Sequence, residues 1–504
     1  MTLQHCLDHS VCRKTALAVS LSLLLCTPLS LTSANAATSA DSNVQTSTFR
    51  ADSIGTDHFN FTVTNTANSI GYYKLLASSE ITPSPEDLKR TAKSVLMTAN
   101  QPVSLNMANL YPSTAYVLYF VAADSQGVLQ TTVQSLPVQT GRDVRLWPFS
   151  SDSIWNTPIG SGAVYGDANL PAVPGVTDDN KYWSMSAGVD TEIIVLTPNE
   201  TTVKVVQNTS GWQAPINRCY SSPYTTSVQL AAVPMPASYI IPNSNKNNGG
   251  AFLMQDGRTL LQMQPATHCN PDDPITALLT FPKEDLYGPG TTGAHGGSRL
   301  STLGGTLRLG ELRPNTPPPR HALKIDVDTR VVFPKCSRTD KTLPACFRWP
   351  ALTADSQADK DTAYSYGKMA QSNVSKDMSM GALLALPKDL RIEDLQLETS
   401  VAKQLAWTLQ NYGAYIVDSS GGFNYFFGVE TGPAGNFTDQ FAKDWGFNFD
   451  QYNKNGATAW VRDIQRIIVK LKVVTNNGPT SIGGGGTPLQ PLAVPLSPPA
   501  TQLR

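Results

Sequence analysis

The sequence predicts a mainly β chain: a small β-sandwich, then a large β-sandwich or barrel-like domain carrying a few helices near its C-terminus. Three observations predict it. Gly and Pro each occur 36 times, in company with many Ser, Thr and Asn, which suits short strands joined by tight turns. Alternating apolar runs recur from Phe59 to Val417, whereas helical periodicity is confined almost entirely to the last hundred residues. At 504 residues the chain has room for two or three domains with a sizeable core.

The formal net charge is −1 and only 15% of residues are charged. No basic block or basic balance is present, so neither nucleic acid nor an anionic membrane is an expected partner. Oligomeric state is left open by the sequence. Residues 1–36 read as a signal peptide. Arg13 and Lys14 precede the apolar run Ala16–Leu31, and Ala34-Asn35-Ala36 offers a small-residue cleavage site. The run is short and broken by Pro28, which argues against a membrane anchor. The expected location is therefore secreted or periplasmic. Removing the signal leaves Cys219, Cys269, Cys336 and Cys346. An even count in an oxidising compartment predicts two disulfides. Three connectivities are possible, and the expected one is Cys219–Cys269 with Cys336–Cys346.

Residues 48–141 form the first domain. Phe59, Phe61 and Val63 alternate, and Tyr72–Leu76 and Ala115–Ala123 are further strands. Ser84-Pro85-Glu86-Asp87 opens a short helix, with serine as N-cap, proline at N1 and acids in the first turn. The segment Leu110-Tyr111-Pro112-Ser113-Thr114-Ala115-Tyr116 resembles the corner of fibronectin type III domains, with Tyr116 as the corner tyrosine. The resemblance implies a spacer or docking module without a ligand of its own.

Residues 142–475 form the second domain, opening at Leu146-Trp147-Pro148-Phe149-Ser150. Glu192–Leu196, Thr202–Gln207 and Ser227–Val233 read as strands. Ala251–Gln255 and Arg258–Met263 flank Asp256-Gly257, a dipeptide suited to a type I′ hairpin turn. Thr399/Ser400 caps a helix that ends at Asn411-Tyr412-Gly413, and Ala414–Val417 follows as a strand. Trp460, Ile464, Ile467 and Leu471 stripe a final amphipathic helix. Residues 476–504 are low in complexity and expected to be disordered. The span Arg142–Val474 resembles a group of uncharacterised exported bacterial proteins. The landmarks are Ser153-Ile154-Trp155-Asn156, Gly293-Ala294, His321-Ala322-Leu323, Trp349-Pro350-Ala351, Met380-Gly381 and the Leu409–Asp418 helix-to-strand join. The resemblance implies one β-rich domain and brings no activity with it.

Chemistry is expected in the stretch Gly288–Val327, which holds eight glycines, four arginines, His295, His321, Glu311 and Asp326. Thr306–Leu309 and Ala322–Val327 read as strands with glycines at the corners between them. Glycine corners let a bulky ligand meet the backbone closely, so this stretch is expected to line an open groove with His295 and Glu311 facing solvent. His295 and His321 titrate near neutrality, and Glu311 and Asp256 supply carboxylates, so these four are the catalytic candidates. Asp152 and Asp326 are further carboxylates to weigh. Asp256 has a competing account as a plain turn residue. Glu311, between Arg308 and Arg313, has one as an ion-pair member. A uronate lyase would want His295 or Tyr287 as base, with Arg299 and Arg308 meeting a sugar carboxylate. Trp155 and Asn156, with those two arginines, are the substrate-binding candidates. Trp183, Trp212, Tyr220 and Tyr224 are further rings suited to stacking on sugars.

The sequence offers no cofactor fingerprint, no HxH or HExxH metal spacing, and no G-x-S-x-G elbow around Ser298. The reading is an exported carbohydrate-active protein that cleaves a polysaccharide, as a glycoside hydrolase or a uronate lyase. The alternative is a non-catalytic glycan-binding or surface-adhesion protein.

Overall fold

A computed structural model describes residues 44–496, apart from positions 79, 173–181, 184, 187–190, 213–215, 371, 423, 451 and 454–457. The expected signal peptide, residues 1–36, lies outside the described residues. Strands make up 31% of the chain and helices 12%, so it is mainly β. No helix among the described residues is long and apolar enough to cross a membrane.

The first domain is a two-sheet sandwich. Strands β1 (Thr46–Ile54), β2 (His58–Asn65), β3 (Ser69–Ala77), β4 (Lys93–Met97), β5 (Val103–Ala108), β6 (Ala115–Ala123) and β7 (Gln134–Gln139) pair antiparallel. The sheet orders are β1-β2-β5 and β4-β3-β6-β7. Period-two patterning sends Phe59, Phe61 and Val63 to the core, where they meet Leu118, Phe120 and Ala122 of the other sheet. Helix α1 (Pro85–Thr91) has the predicted N-terminus: Ser84 and Asp87 form a reciprocal capping box. Tyr116 Oη accepts from the Tyr111 backbone N–H at 3.0 Å, closing the tyrosine corner.

The second domain stacks layers. One seven-stranded sheet runs Met185–Ser186, Tyr425–Phe427, Leu323–Val327, Ala414–Ser419, Leu383–Ala385, Lys472–Val474, Tyr165–Asp167. Leu323–Val327 and Ala414–Ser419 lie parallel. A second sheet brings together Leu279–Thr280, Thr259–Gln264, Gly249–Leu253, Glu192–Val195, Glu430–Gly432 and Gly435–Asn436, with Glu284–Asp285 pairing beside Thr259–Gln264. Alternation assigns the layers. Leu323, Ile325, Ala414 and Ile416 face helices Ser400–Asn411 and Ala459–Ile468, meeting Leu405, Leu409, Ile464 and Ile467. Tyr415, Val417 and Leu383 face the second sheet and meet Ile194, Ala251 and Leu260. Ile193, Phe252 and Met263, on the far side of that sheet, cover Val205, Val233 and Ile275 of a third small sheet. Thr399 caps the first of these helices and Thr458 the second.

Both disulfides pair as expected, with Cα–Cα distances of 5.6 Å for Cys219–Cys269 and 5.0 Å for Cys336–Cys346. Three expectations are corrected and one helix is added. The Asp256-Gly257 turn is not type I′: it spans Met254–Gly257, and only Gly257 has positive φ, where I′ needs two such residues. Thr306–Leu309 is no strand; Leu307 alone makes a bridge, to Val429. A helix at Phe437–Trp445, unread in the sequence, packs Phe437 and Phe441 into the core. Nor is the segment after Asn476 disordered as far as Leu489. The Gly162 N–H donates to the Gly485 carbonyl at 2.9 Å and the Leu489 N–H to the Ile159 carbonyl at 2.8 Å. A Cβ on Gly160 would overlap the Gly485 carbonyl oxygen, so glycine composition here permits backbone packing rather than looseness. Residues 497–504 lie outside the described residues.

Candidate active site

The layer between the two large sheets is apolar at one end and polar at the other. The strands that supply Ile194 and Leu260 to the apolar end also supply Glu192 and Gln262, and Leu323–Val327, paired with the strand that carries Val417, supplies Lys324 and Asp326. Glu192 opens its strand, and Lys324 and Asp326 alternate with Leu323, Ile325 and Val327, so both charges turn inward. Asp326 and Asp418 are register partners on the two parallel strands.

His295 lies at the centre of this end, 3% exposed, held by its own turn. Its backbone N–H donates to the Leu300 carbonyl at 3.1 Å, and its carbonyl accepts from Arg299 at 2.7 Å. Its Nε2 meets Glu192 Oε1 at 2.9 Å, and its Nδ1 is 3.6 Å from Asp418 Oδ2. Lys324 Nζ donates to the same Glu192 oxygen at 2.9 Å and also to the Thr302 carbonyl. Burial opposes ionisation of both partners, yet Lys324 and His295 hold Glu192 below the usual carboxylate range. Glu192 in turn holds His295 well above the usual imidazole value. His295 is thus an imidazolium braced between two carboxylates.

Two more acids complete the group. Burial pushes Asp355 up to about 7, with the neighbouring Asp418 charge adding to it. Tyr366 Oη donates to Asp355 Oδ2 at 2.8 Å. Burial likewise raises Asp326 to about 7, with His295 opposing and Asp418 and Glu192 reinforcing. Asp418 and Asp355 approach the Gly296-Gly297 turn from the same side. A Cβ on Gly297 would lie 2.7 Å from Asp418 Oδ1 and 3.3 Å from Asp355 Oδ1, so any larger residue would displace the carboxylates. Gly296 and Asp355 are half-buried and Arg299, three residues on, is exposed, so the group opens to solvent at this turn. Arg299 has φ +59, in the left-handed region that non-glycine residues seldom occupy. Among the described residues, no three His, Cys, Asp or Glu side chains are arranged to hold a metal ion.

The other sequence candidates are placed elsewhere. His321 and Glu311 are 5% and 4% exposed and pair with each other, Nε2 to Oε1 at 3.0 Å. Glu311 also accepts from the Arg308 backbone N–H, while the Arg308 side chain pairs with Glu430 at 2.8 Å. The expectation that His295 and Glu311 face solvent in an open groove is therefore overturned: both side chains are enclosed and each has an internal partner, Glu192 for His295 and His321 for Glu311. Arg308, likewise enclosed, has its guanidinium taken by Glu430 and by the Arg145 carbonyl. Trp155, 2% exposed, packs on Gly304 and Gly305 and donates through Nε1 to the Gly290 carbonyl at 2.6 Å. Asn156 is equally buried and donates to the Pro148 carbonyl at 2.7 Å. The Trp155 indole N–H and the Asn156 amide N–H are thus engaged inside the fold. Asp256 is exposed, and its carboxylate accepts from the Arg258 and Thr259 backbone and from the Thr259 hydroxyl, as a turn residue does. Of the candidates, His295 belongs to the acid-rich group, joined by Asp326, while Arg299 shares its turn and is exposed.

No protein-family model matches the chain, and neither does any of the curated proteins. Solved structures match over about a fifth of it. A computationally redesigned β-sandwich protein is 20% identical, covering 19% of this chain and 94% of that one, with a TM-score of 0.15. The FN1–FN3 domains of chicken CNTN1 are 16% identical, covering 19% of this chain and 32% of that one, TM-score 0.15. The FN5 domain of Drosophila Lar is 11% identical, covering 19% and 96%, TM-score 0.14. These likenesses are to fibronectin type III and β-sandwich domains and say nothing about activity.

Sequence reading missed Glu192, Lys324, Asp355, Tyr366 and Asp418. A signal was present for three of them. Glu192, Lys324 and Asp418 interrupt otherwise apolar strand runs (EIIV, LKIDV, AYIVDS), and a charge in such a run must be paired.

Proposed function

We propose that the chain is an exported glycoside hydrolase that cleaves a neutral polysaccharide, with Asp355 as general acid and Asp418 as its partner carboxylate. The observation carrying this reading is the convergence of Asp355 and Asp418 on the Gly296-Gly297 turn, one of them held protonated near neutrality. Glycoside hydrolysis needs two carboxyl groups of opposite protonation flanking the bond. Burial, with Asp418 beside it, keeps the Asp355 proton available at pH 6–7. Asp418 Oδ1 accepts from the Ser419 backbone N–H at 2.7 Å, and the His295 imidazolium stands beyond Oδ2. In this scheme Asp355 gives its proton to the leaving oxygen while Asp418 attacks the anomeric carbon or activates a water. His295 is a positioning group, since its Nε2 is committed to Glu192.

The hydrolase is favoured over the uronate lyase by charge. Glu192, Asp326, Asp355 and Asp418 outnumber Lys324 and His295, and Arg308 is paired with Glu430. A uronate carboxylate would enter a site already rich in acids, where Lys324 and His295 are both engaged by Glu192 and Arg299 stands exposed at the mouth. The two disulfides are compatible with an extracellular protein, and the signal-like N-terminus supports secretion or export to the periplasm. The resemblance of residues 142–474 to exported bacterial proteins agrees with that location. A panel of soluble polysaccharides, read for reducing ends and for unsaturated-uronate absorbance, tests the proposal. Reducing ends without the absorbance support a hydrolase, both signals a lyase, and neither signal refutes catalysis.

A further inference from the structure

Asp355 is gripped twice, once through its backbone and once through its carboxyl. The first grip comes from Arg338, on the loop closed by the Cys336–Cys346 disulfide. Arg338 Nη2 donates to the Asp355 carbonyl at 2.6 Å and to the Ala354 carbonyl at 3.1 Å. Asp359 holds Arg338 in turn: its Oδ2 accepts from the Arg338 backbone N–H at 3.0 Å, and its Oδ1 pairs with the guanidinium. The Ala358 N–H donates to the same Asp355 carbonyl at 3.0 Å. The second grip comes from Tyr366, 2% exposed, whose ring stands edge-on to Phe333 at 5.1 Å. Tyr366 Oη accepts from the Asp355 backbone N–H at 3.1 Å and donates to Asp355 Oδ2 at 2.8 Å.

These bonds make the two carboxyl oxygens of Asp355 unlike. A phenol has one hydrogen to give. Burial and the neighbouring Asp355 charge hold Tyr366 well above the usual phenol range, so that hydrogen stays on Oη. With the Asp355 N–H already directed at Oη, it goes to Oδ2, which is left as an acceptor. A protonated Asp355 therefore carries its own hydrogen on Oδ1. That oxygen faces the Gly296-Gly297 turn, 3.3 Å from where a Gly297 Cβ would stand, on the side that Asp418 approaches. With its carbonyl and N–H both tied, the residue has little freedom to turn, and orientation is much of what makes a positioned acid effective. Besides burial, Asp418 disfavours the ionised form of Asp355, whereas Tyr366, Arg338 and His295 favour it.

We propose that Tyr366 and Arg338 are positioning residues for Asp355, fixing its proton on Oδ1 toward the Gly296-Gly297 turn. Use of that proton in catalysis rests on the hydrolase reading; its placement does not, so two measurements are made on the full chain. Carbon NMR of protein labelled at its aspartate carboxyls, with Asp355→Asn to assign the resonance, reports the titration of Asp355 directly. Reducing ends released from a soluble polysaccharide report kcat, KM and the alkaline limb of activity. Tyr366→Phe removes a hydrogen bond that favours the ionised form, so Asp355 should titrate at higher pH than in the native chain and the alkaline limb should move up with it. Per folded molecule, kcat should fall roughly tenfold or more, with KM within about twofold of native. Arg338→Gln removes the backbone grip and a favourable charge, and should act in the same direction. Because Arg338 lies on a partly exposed loop, that variant keeps the test decisive if the tyrosine variant is unstable. A purely structural contact would lower the melting temperature and leave the titration native. An unchanged or lowered titration in the folded variants, or a raised one with native kcat, overturns the proposal and leaves the hydrolase standing. A raised titration in variants of a chain that releases no reducing ends supports the clamp and removes the hydrolase instead.

Discussion

His295 and His321 lie twenty-six positions apart in one glycine-rich stretch, both are almost fully buried, and both face a glutamate at about 3 Å. Their surroundings differ. His321 has one acid, Glu311, for its Nε2, and the Ala322 carbonyl lies 2.9 Å from Nδ1. The nearby Arg308 has its own acid, Glu430, so charges there are matched one to one. Around His295, Glu192 is shared with Lys324, and Asp326, Asp355 and Asp418 are left to share what positive charge remains. The comparison teaches that burial of a histidine–glutamate pair does not mark a site. A surplus of one charge, leaving groups that titrate near neutrality, does.

The sharpest way to break this contrast is to remove the acids that exist only on the His295 side. Asp355→Asn and Asp418→Asn should each lower turnover on a cleaved polysaccharide by on the order of 10³-fold, with melting temperature close to native. A variant that keeps a tenth of native activity per folded molecule would end the assignment of that residue.

The converse change is on the matched side. His321→Ala leaves Glu311 buried without its partner and should destabilise the fold by about 3 kcal/mol, as breaking a buried pair does. Activity per folded molecule should stay native. Urea titration supplies the first quantity and specific activity of the surviving folded fraction the second; lost activity in a stable variant would place His321 in the site.

A pH profile sharpens the comparison further. Burial and Asp418 raise Asp355 to about 7, and a general acid works only while protonated. Activity should therefore fall as pH rises through about 7, where an ordinary carboxylic acid, near 4, would already have lost its proton. An activity plateau extending past pH 9 would contradict this role.

The smallest effect concerns stability. Asp326 is raised by burial to about 7 against an ordinary 3.8. Above pH 4 the unfolded chain gains by ionising Asp326 and the folded chain does not, so the residue costs stability increasingly up to pH 7. Asp326→Asn removes that cost. It should raise the melting temperature by about 2–4 °C at pH 8 and change little at pH 4. The raised His321 works in the same direction in the wild type: its contribution is complete below 6.5 and fades as pH climbs through its folded value. A wild-type melting temperature that rises from pH 5 to pH 8 would contradict both assignments.

Local patterns settled much of the fold in advance. Alternation named Phe59, Phe61 and Val63 as core, Ser84-Pro85-Glu86-Asp87 as a helix start, and the Thr399–Asn411 helix with its following strand, because each depends on a few neighbouring residues. The corner tyrosine Tyr116 was legible for the same reason, its partner Tyr111 being five residues away. The presence of two disulfides was legible from the cysteine count together with the expected export, and the expected pairing is the one observed. The tail after Asn476 was misread because composition says what a free chain prefers, while Gly160 and Gly485 show what a chain can do when another backbone is there to pair with it.

His295 was legible as a rare titratable residue among glycines, but not its role. Glu192, Asp355 and Asp418 come from positions up to 226 residues apart, and only the stacking of two sheets brings them to one turn. The raised pKa of Asp355 arises from burial and from the like charge of Asp418, which are long-range quantities with no counterpart in a local stretch of sequence. Tertiary structure decided, for the same reason, that Trp155, Asn156 and Arg308 would spend their hydrogen-bond donors inside the fold. The sequence determined which side chains are capable of acid–base chemistry; packing determined which of them face each other without enough counter-charge.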